Sequence, residues 1–537
     1  MSGFLELVIS GLMSGLVIGL AALALTLVFG VARFANAATG DFMTCGAYAA
    51  LAGFAASGSM LVGGLAGLAA GALAGVASYV LVFRVLEGRP SVSALLASIG
   101  VGFFIRAVLG LFYGHGQQVF QTPLVRPWRW FDVRIQPNDL KIGLTALATL
   151  AVVFLILHAT PMGRRMRAVA DDPMLARVSG IAPRKVMFGL WALSGAVAAL
   201  AGVLLGIKTV VLPEMGWEML IPVFAAAVLG GIGHPIGAVV AGVLLGVLQE
   251  IATPYVGFTY KLALAFVVLL LVLLVRPGHV GFFCVGAYTT AIIGSHGVSM
   301  LVTFPLAALF AMLAAWPLGL VSIRLREDYF AIVSLGFSEV VRLVVTSEGW
   351  LTNGVQGIAG IPKMFGMLTG TTQALAVLGL LVALNLVAVA AMWRIVRSPF
   401  GRMIEAIRDN EDAVKALGKD PAGFKIQVLV LGAGLAGIAG AVYAHYIGYI
   451  SPDQFIPLMT FQVWMAIIMG GVGRISGALV GAILLMVFLE GSRFLRDVMP
   501  FISEVAMASV RLGVVGLALI LFTMYRPQGL MGDFTRK

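Results

Sequence analysis

Polar and apolar positions alternate along this chain on a long wavelength. Apolar stretches of about 16 to 25 residues are separated by short polar connections, the length a helix needs to cross a hydrocarbon core of roughly 30 Å. Barrel strands would run about 10 residues with alternating polarity, and no such pattern occurs. The pattern predicts helical spans over residues 5–30, 41–57, 60–83, 92–113, 140–160, 186–207, 219–233, 236–252 and 258–275. It predicts further spans over 279–296, 300–322, 328–345, 372–393, 426–447, 457–473, 477–492 and 508–524. Those near 219, 236, 328, 457 and 477 are short or broken by glycine, as expected of re-entrant or tilted segments. The expected fold class is an all-α polytopic membrane protein with about 16–17 membrane segments.

Two stretches break this pattern. "GRRMRAVADDPMLARVSG" occupies residues 163–180 and "GRMIEAIRDNEDAVKALG" residues 401–418. Asp172 can cap a helix whose first position is Pro173, with Gly180 just past its end. In the second stretch Asn410 takes the cap, Glu411 and Asp412 the acidic first turn, and Gly418 the end. Each stretch therefore predicts a helix of about two turns, too short to be stable alone. Leu175, Ala176 and Val178 give the first a small apolar face, and Ala413, Val414 and Ala416 the second. Arg177 and Lys415 place a cation at the same point. Such a helix packs either on the protein's own surface or, as its duplication favours, into a groove of a cytoplasmic partner.

The duplication extends along the chain. "FMTCGAYAAL" near 42 meets "FFCVGAYTTA" near 282, and "GGIGHPIGA" at 230–238 meets "GGVGRISGA" at 470–478. "VRP" at 275–277 meets "YRP" at 525–527. Pro161, Gly163, Arg164, Ala168, Asp171, Gly180, Pro183 and Gly202 match Pro399, Gly401, Arg402, Ala406, Asp409, Gly418, Pro421 and Gly440. The expected halves are 1–277 and 278–537. Span 258–275 closes the first half and also fills the place of a first span for the second. Either that helix serves both halves, or the second half lacks its first span.

Charge then orients the spans. With 163–185 cytoplasmic, Arg33, Arg84–Arg89, Arg276, Arg324, Arg326, Arg394–Lys425 and the C-terminal tail all fall inside, as positive-inside bias requires. The N-terminus is then external and the C-terminus cytoplasmic. Loop 114–139, with Arg126, Arg129 and Arg134, falls outside; its Trp128, Trp130 and Phe131 suit an interfacial structure. The two polar stretches share one side, so the repeat is parallel rather than inverted.

Composition agrees with the pattern. Hydrophobic residues make up 60% and charged residues 11% of 537, where a soluble domain has roughly 25% charged. Mean hydropathy is +1.03. The 67 glycines suit helices that pack by close backbone contact in lipid, as in "GLAGLAAGALAGVAS". The net charge of +11 lies in short loops and reads as topology rather than nucleic-acid binding. Cys45 and Cys284 define no disulfide framework, and the six histidines show no metal-ligand spacing. Residues 4–30 read as a first span rather than a cleaved signal.

The segment "GRRMRAVADDPMLARVSGIAP" resembles the cytoplasmic coupling loop of ABC-importer permeases. The first half further resembles a membrane subunit of branched-chain amino acid importers in "LTLVFGVARFANAATGDFMTCGAY", "SALLASIGVGFFIR" and "VFAAAVLGGIGHPIGAVVAG". The second half resembles the sister permease in "GHVGFFCVGAY", "TNGVQGI", "SPFGRMIEAIRDNEDAVKALG" and "GGVGRISGALVGA". The family usually uses two chains, here fused. The resemblance implies two cytoplasmic ATP-binding subunits, an extracytoplasmic substrate-binding protein and a bacterial inner-membrane location. The chain has no G-x-x-x-x-G-K-[ST] loop, so the resemblance assigns ATP and Mg to the partner subunits and no cofactor to this chain. Coupling residues implied are Gly163, Arg164, Asp171, Asp172, Arg177 and Gly180, with Gly401, Arg402, Asp409, Asn410, Lys415 and Gly418. Urea or short amides are alternative cargoes.

Other charged positions carry separate expectations. Glu339 and Arg342, spaced i,i+3, can pair on one helix face, as structure or on a transport pathway. Arg106 sits inside a span and either serves the pathway or snorkels to the outer surface. Glu250 and Glu490 lie at span ends, which disfavours an ion-coupled secondary transporter. No filter-like loop repeats around a ring, which disfavours a channel. Pro213, Glu214, Trp217, Pro452 and Asp453 are expected in external loops, facing the binding protein.

Overall fold

The computed structural model describes residues 2–89, 91–121, 126–130, 133–231, 233–256, 279–322, 327–471, 473–491, 503–526 and 529–531. The expected span 258–275, the junction at 277, Arg276, Arg324, Arg326 and the tail beyond Met531 lie outside them. The chain forms two compact units, one of Met1–Val268 with Ile483–Leu530 and one of Leu269–Ala482 with Met531–Lys537.

The first unit contains α1 (Ser2–Ala32), α2 (Ala38–Ser57), α3 (Met60–Leu81), α4 (Ser91–Tyr113), α5 (Pro137–Ala159), α6 (Pro161–Asp171), α7 (Pro173–Val178), α8 (Pro183–Lys208), α9 (Met215–Leu229) and α10 (Pro235–Val256). The second contains α11 (His279–Ser295), α12 (Met300–Ser322), α13 (Glu327–Ser347), α14 (Gly370–Arg397), α15 (Pro399–Asp409), α16 (Glu411–Ala416), α17 (Pro421–Ile447) and α18 (Pro457–Gly470). α19 (Ile475–Gly491) follows, and α20 (Glu504–Tyr525) returns to the first unit. Ten of the described helices are long and apolar enough to cross a membrane. Pro235–Pro254, read from sequence as a short segment, is among them at full length.

Small residues set the packing. Gly63, Gly67, Gly71 and Gly75 form one buried face of α3. A Cβ at Gly71 would overlap the Gly195 carbonyl of α8, and one at Gly67 would reach the α2 backbone. α1 lies along α10 through Gly11, Gly15 and Gly19. With lipid outside, such backbone contact supplies the dispersion energy that holds helices together.

The repeat reaches this level of detail. A Cβ at Gly202 of α8 would overlap the Met43 carbonyl of α2, and one at Gly440 of α17 would overlap the Phe283 carbonyl of α11. Gly230 against Gly237 is matched by Gly470 against Gly477, in turns where Gly233 and Gly473 hold φ of 87° and 89°.

Outside the helices, β1 (Trp128–Trp130) pairs antiparallel with β2 (Val133–Ile135), and the Arg134 backbone N–H donates to Glu6 Oε1 at 2.7 Å. β3 (Ile358–Ala359) pairs with β4 (Tyr449–Ile450).

Candidate functional site

The two polar stretches fold alike. In the first, the Thr160 hydroxyl accepts from the Gly163 backbone and starts α6. A Cβ at Gly163 would overlap the Leu157 carbonyl, so α6 turns away from α5 at a point where only glycine fits. Asp172 Oδ1 accepts from the backbone N–H of Met174 at 2.8 Å and Leu175 at 3.0 Å, capping α7. The end is a Schellman turn. Gly180 has φ 81°, its N–H donates to the Arg177 carbonyl, and the Ile181 N–H donates to the Ala176 carbonyl.

The second copy repeats each step. Ser398 Oγ accepts from the Gly401 N–H, and a Cβ at Gly401 would overlap the Val396 carbonyl. Asn410 Oδ1 accepts from the Ala413 N–H at 3.0 Å. Gly418 has φ 73° and donates to Lys415, while Lys419 donates to Val414.

The packing of these helices divides their apolar residues. Only Ala176 of the first and Val414 of the second turn inward, each about 4% exposed and each at the position the Schellman turn closes on. Leu175 is 65% and Val178 87% exposed, and Leu417 of the second copy is 80% exposed. These apolar side chains therefore look outward, and Arg164, Asp171, Asp172 and Arg177 of the first copy are exposed as well. In the second copy Arg402, Asp409, Asn410 and Lys415 are exposed in the same places. A cavity of about 1040 Å³ opens beside α7, lined among others by Arg33, Tyr79, Asp172, Arg177 and Trp191. Arg33 Nη2 donates to the Ala170 carbonyl at 3.0 Å and ties the end of α6 to the end of α1.

The copies differ in charge. Glu411 bonds Lys425 Nζ at 2.6 Å and Lys415 Nζ at 3.1 Å. The Lys425 hydrogen bond, with Lys415 beside it, holds the Glu411 carboxyl below its ordinary value. Asp172, at the cap of the first copy, accepts two backbone N–H groups.

Two further charge pairs hold a buried acid against an arginine. Arg106 of α4 donates through Nη2 and Nε to Asp41 Oδ1 of α2, at 3.0 and 3.2 Å. Arg106 is 5% and Asp41 1% exposed, so Arg106 does not snorkel. Its guanidinium also lies 4.8 Å from the Trp217 ring, a cation–π contact with α9. Glu339 and Arg342 pair on α13, the face the i,i+3 spacing predicts.

Sequence reading missed Asp41. Its signal was present: a carboxylate one residue into a predicted span, in a chain with few charges. Asp41, in the first turn of α2, and Glu339, within α13, are both buried and both paired with arginine. The expected external contacts are also corrected in part. Pro213 and Pro452 are buried, and Trp217 belongs to α9 with its ring over Arg106. Glu214 and Asp453 keep exposed or half-exposed positions.

These features define a polytopic all-α membrane protein with a parallel internal repeat. The family described as "branched-chain amino acid transport system / permease component" matches residues 7–274 and again 278–523. The chain belongs to this family, which it matches twice.

Among curated relatives, the high-affinity branched-chain amino acid transport system permease protein LivM of Escherichia coli K12 is 33% identical over 278 residues. That match covers 47% of this chain and 63% of LivM's own length. LivH of the same strain is 28% identical over 291 residues, 51% of this chain and 94% of LivH. BraD of Pseudomonas aeruginosa is 30% identical over 294 residues, again 51% of this chain and 94% of BraD.

Proposed function

We propose that this chain is the fused permease of an ATP-driven importer carrying branched-chain or related amino acids across a bacterial inner membrane. Residues 1–277 and 278–537 are its two permease halves, and the C-terminus is cytoplasmic. ATP and Mg are bound by two separate cytoplasmic subunits, and an extracytoplasmic binding protein delivers the substrate. The chain itself hydrolyses nothing. α7 and α16 are the handles those subunits grip: ATP binding draws the subunits together and moves both helices as levers.

One observation carries this reading. Each polar segment ends in a capped helix that anchors one side chain and turns Leu175 and Val178, or Leu417, to solvent. Apolar side chains on a polar, capped knob are what a partner groove buries. The duplicate in each half suits a partner present in two copies. The cargo reading is supported by the relatives, whose names specify branched-chain amino acids.

The test is reconstitution of the chain with the ATP-binding subunits and binding protein encoded beside it, assaying uptake of leucine against urea. ATP-dependent leucine uptake is expected. Urea uptake would change the cargo, and uptake driven by an ion gradient without the ATP-binding subunits would overturn the reading. Leu175→Asp and Leu417→Asp touch only exposed positions. They should leave the fold intact and lower ATP-binding-subunit recovery and uptake at least tenfold, as burying an unpaired carboxylate in a groove costs about 2–5 kcal/mol.

A further inference from the structure

Buried Arg106 and half-buried Arg342 occupy one place in the repeat. "SIGVGFFIRAV" at 98–108 and "SLGFSEVVRLV" at 334–344 align without a gap and set Arg106 opposite Arg342. "DFMTCGAY" at 41–48 against "GFFCVGAY" at 281–288 sets Asp41 opposite Gly281. The same registers set Gly102 opposite Ser338 and Phe103 opposite Glu339. The arginine is kept, but its acid has moved: from α2 in the first unit to the arginine's own helix in the second.

The surrounding positions change with it. Asp41 Oδ2 fills the space where a Cβ on Gly102 would stand, so a serine there would displace that carboxylate. Where the acid is absent from the neighbouring helix, Ser338 stands, and its Oγ accepts the Gly281 backbone N–H at 2.8 Å. A Cβ on Gly281 would lie 2.5 Å from the Phe337 ring, so an aspartate there would have to displace that ring. Phe103, buried in the first unit, occupies the position that Glu339 takes in the second. Three positions thus differ together around an arginine that does not.

We propose that each half requires an arginine fixed and neutralised at this place, and that Asp41 and Glu339 are exchangeable counter-ions for it. Arg106 is a positioning residue: it ties α4 to α2 through Asp41 and to α9 through Trp217. A buried arginine is costly without a counter-ion, so the acid must be present, but either helix can carry it. The inference rests on the permease reading only for its transport readout.

The test rewrites the first unit in the form of the second. Asp41→Gly alone should lower ATP-driven leucine uptake per folded protein at least tenfold. Asp41→Gly with Gly102→Ser and Phe103→Glu should bring uptake to within threefold of the parent. Arg106→Gln added to that triple variant should abolish the rescue. Full uptake by Asp41→Gly alone overturns the proposal. So does a triple variant that fails to fold or folds without recovering uptake, and so does a rescue that survives Arg106→Gln. A parent chain without uptake would sink the permease reading instead. The folded yield on size-exclusion chromatography would then still read the pair, expected low for Asp41→Gly and restored in the triple variant.

Discussion

Glycine at 163 and 401 does different work from glycine at 180 and 418. The first pair leaves room for the carbonyls of Leu157 and Val396, and any side chain there disturbs the join between helices. The second pair has open space around it and is held by backbone conformation, with φ of 81° and 73°. A bulky change at Gly163 or Gly401 therefore damages the local fold before it can report on a partner, and the exposed Leu175 and Leu417 are the better probes. Glu411 is the residue-scale prediction for pH. Its folded-state value is lowered by Lys425 and Lys415, so its contribution to the second handle is present above the ordinary carboxylate value. That contribution is lost as pH falls through the lowered value. Hydrogen-exchange protection at 411–418, corrected for intrinsic exchange, should fall in acid for the parent and be low and pH-independent for Glu411→Gln.

At the scale of elements, a six-residue helix persists only because both its ends are closed. Asp172 satisfies two N–H groups at the start of α7, and the Gly180 turn satisfies carbonyls at its end. Asp172→Ala should cost about 1 kcal/mol locally. The expected outcome is raised exchange across 173–179 and several-fold lower uptake, with the melting temperature of the solubilised chain changed by less than about 3 °C. An unchanged exchange pattern would show that packing, through Ala176, suffices without the cap. Cap residues, the proline start and the glycine stop are all local, which is why these elements were legible from spacing. Which face they present was not: spacing suits the protein's own surface or a partner groove alike, and only the fold shows that Ala176 turns in while Leu175 and Val178 stay exposed.

For the whole molecule, the last helix is the informative element. α20 lies in the first unit against α4, where a Cβ on Gly100 would stand 2.8 Å from the Gly516 carbonyl. Ser509 Oγ meets His115 Nε2 at 2.9 Å, and Arg89 Nη1 donates to the Thr523 and Met524 carbonyls that end α20. α4 also carries Arg106. Residues 1–277 produced alone should therefore give little folded protein, and co-production of 278–537 should raise the yield several-fold. Equal yields with and without the second piece would show that α4 needs no cover from α20.

The sequence by itself determined the helices, their membrane length, the parallel repeat and the two capped handles, because each follows from hydrophobic period, charge or turn chemistry within a few tens of residues. It also determined Glu339 with Arg342, since i,i+3 neighbours meet on any helix. Tertiary structure alone decided that Asp41 answers Arg106, that Trp217 covers it, and that α20 packs on α4. Those contacts join residues tens to hundreds of positions apart, and the closeness of two helix backbones at facing glycines is a property of the packed molecule rather than of either segment.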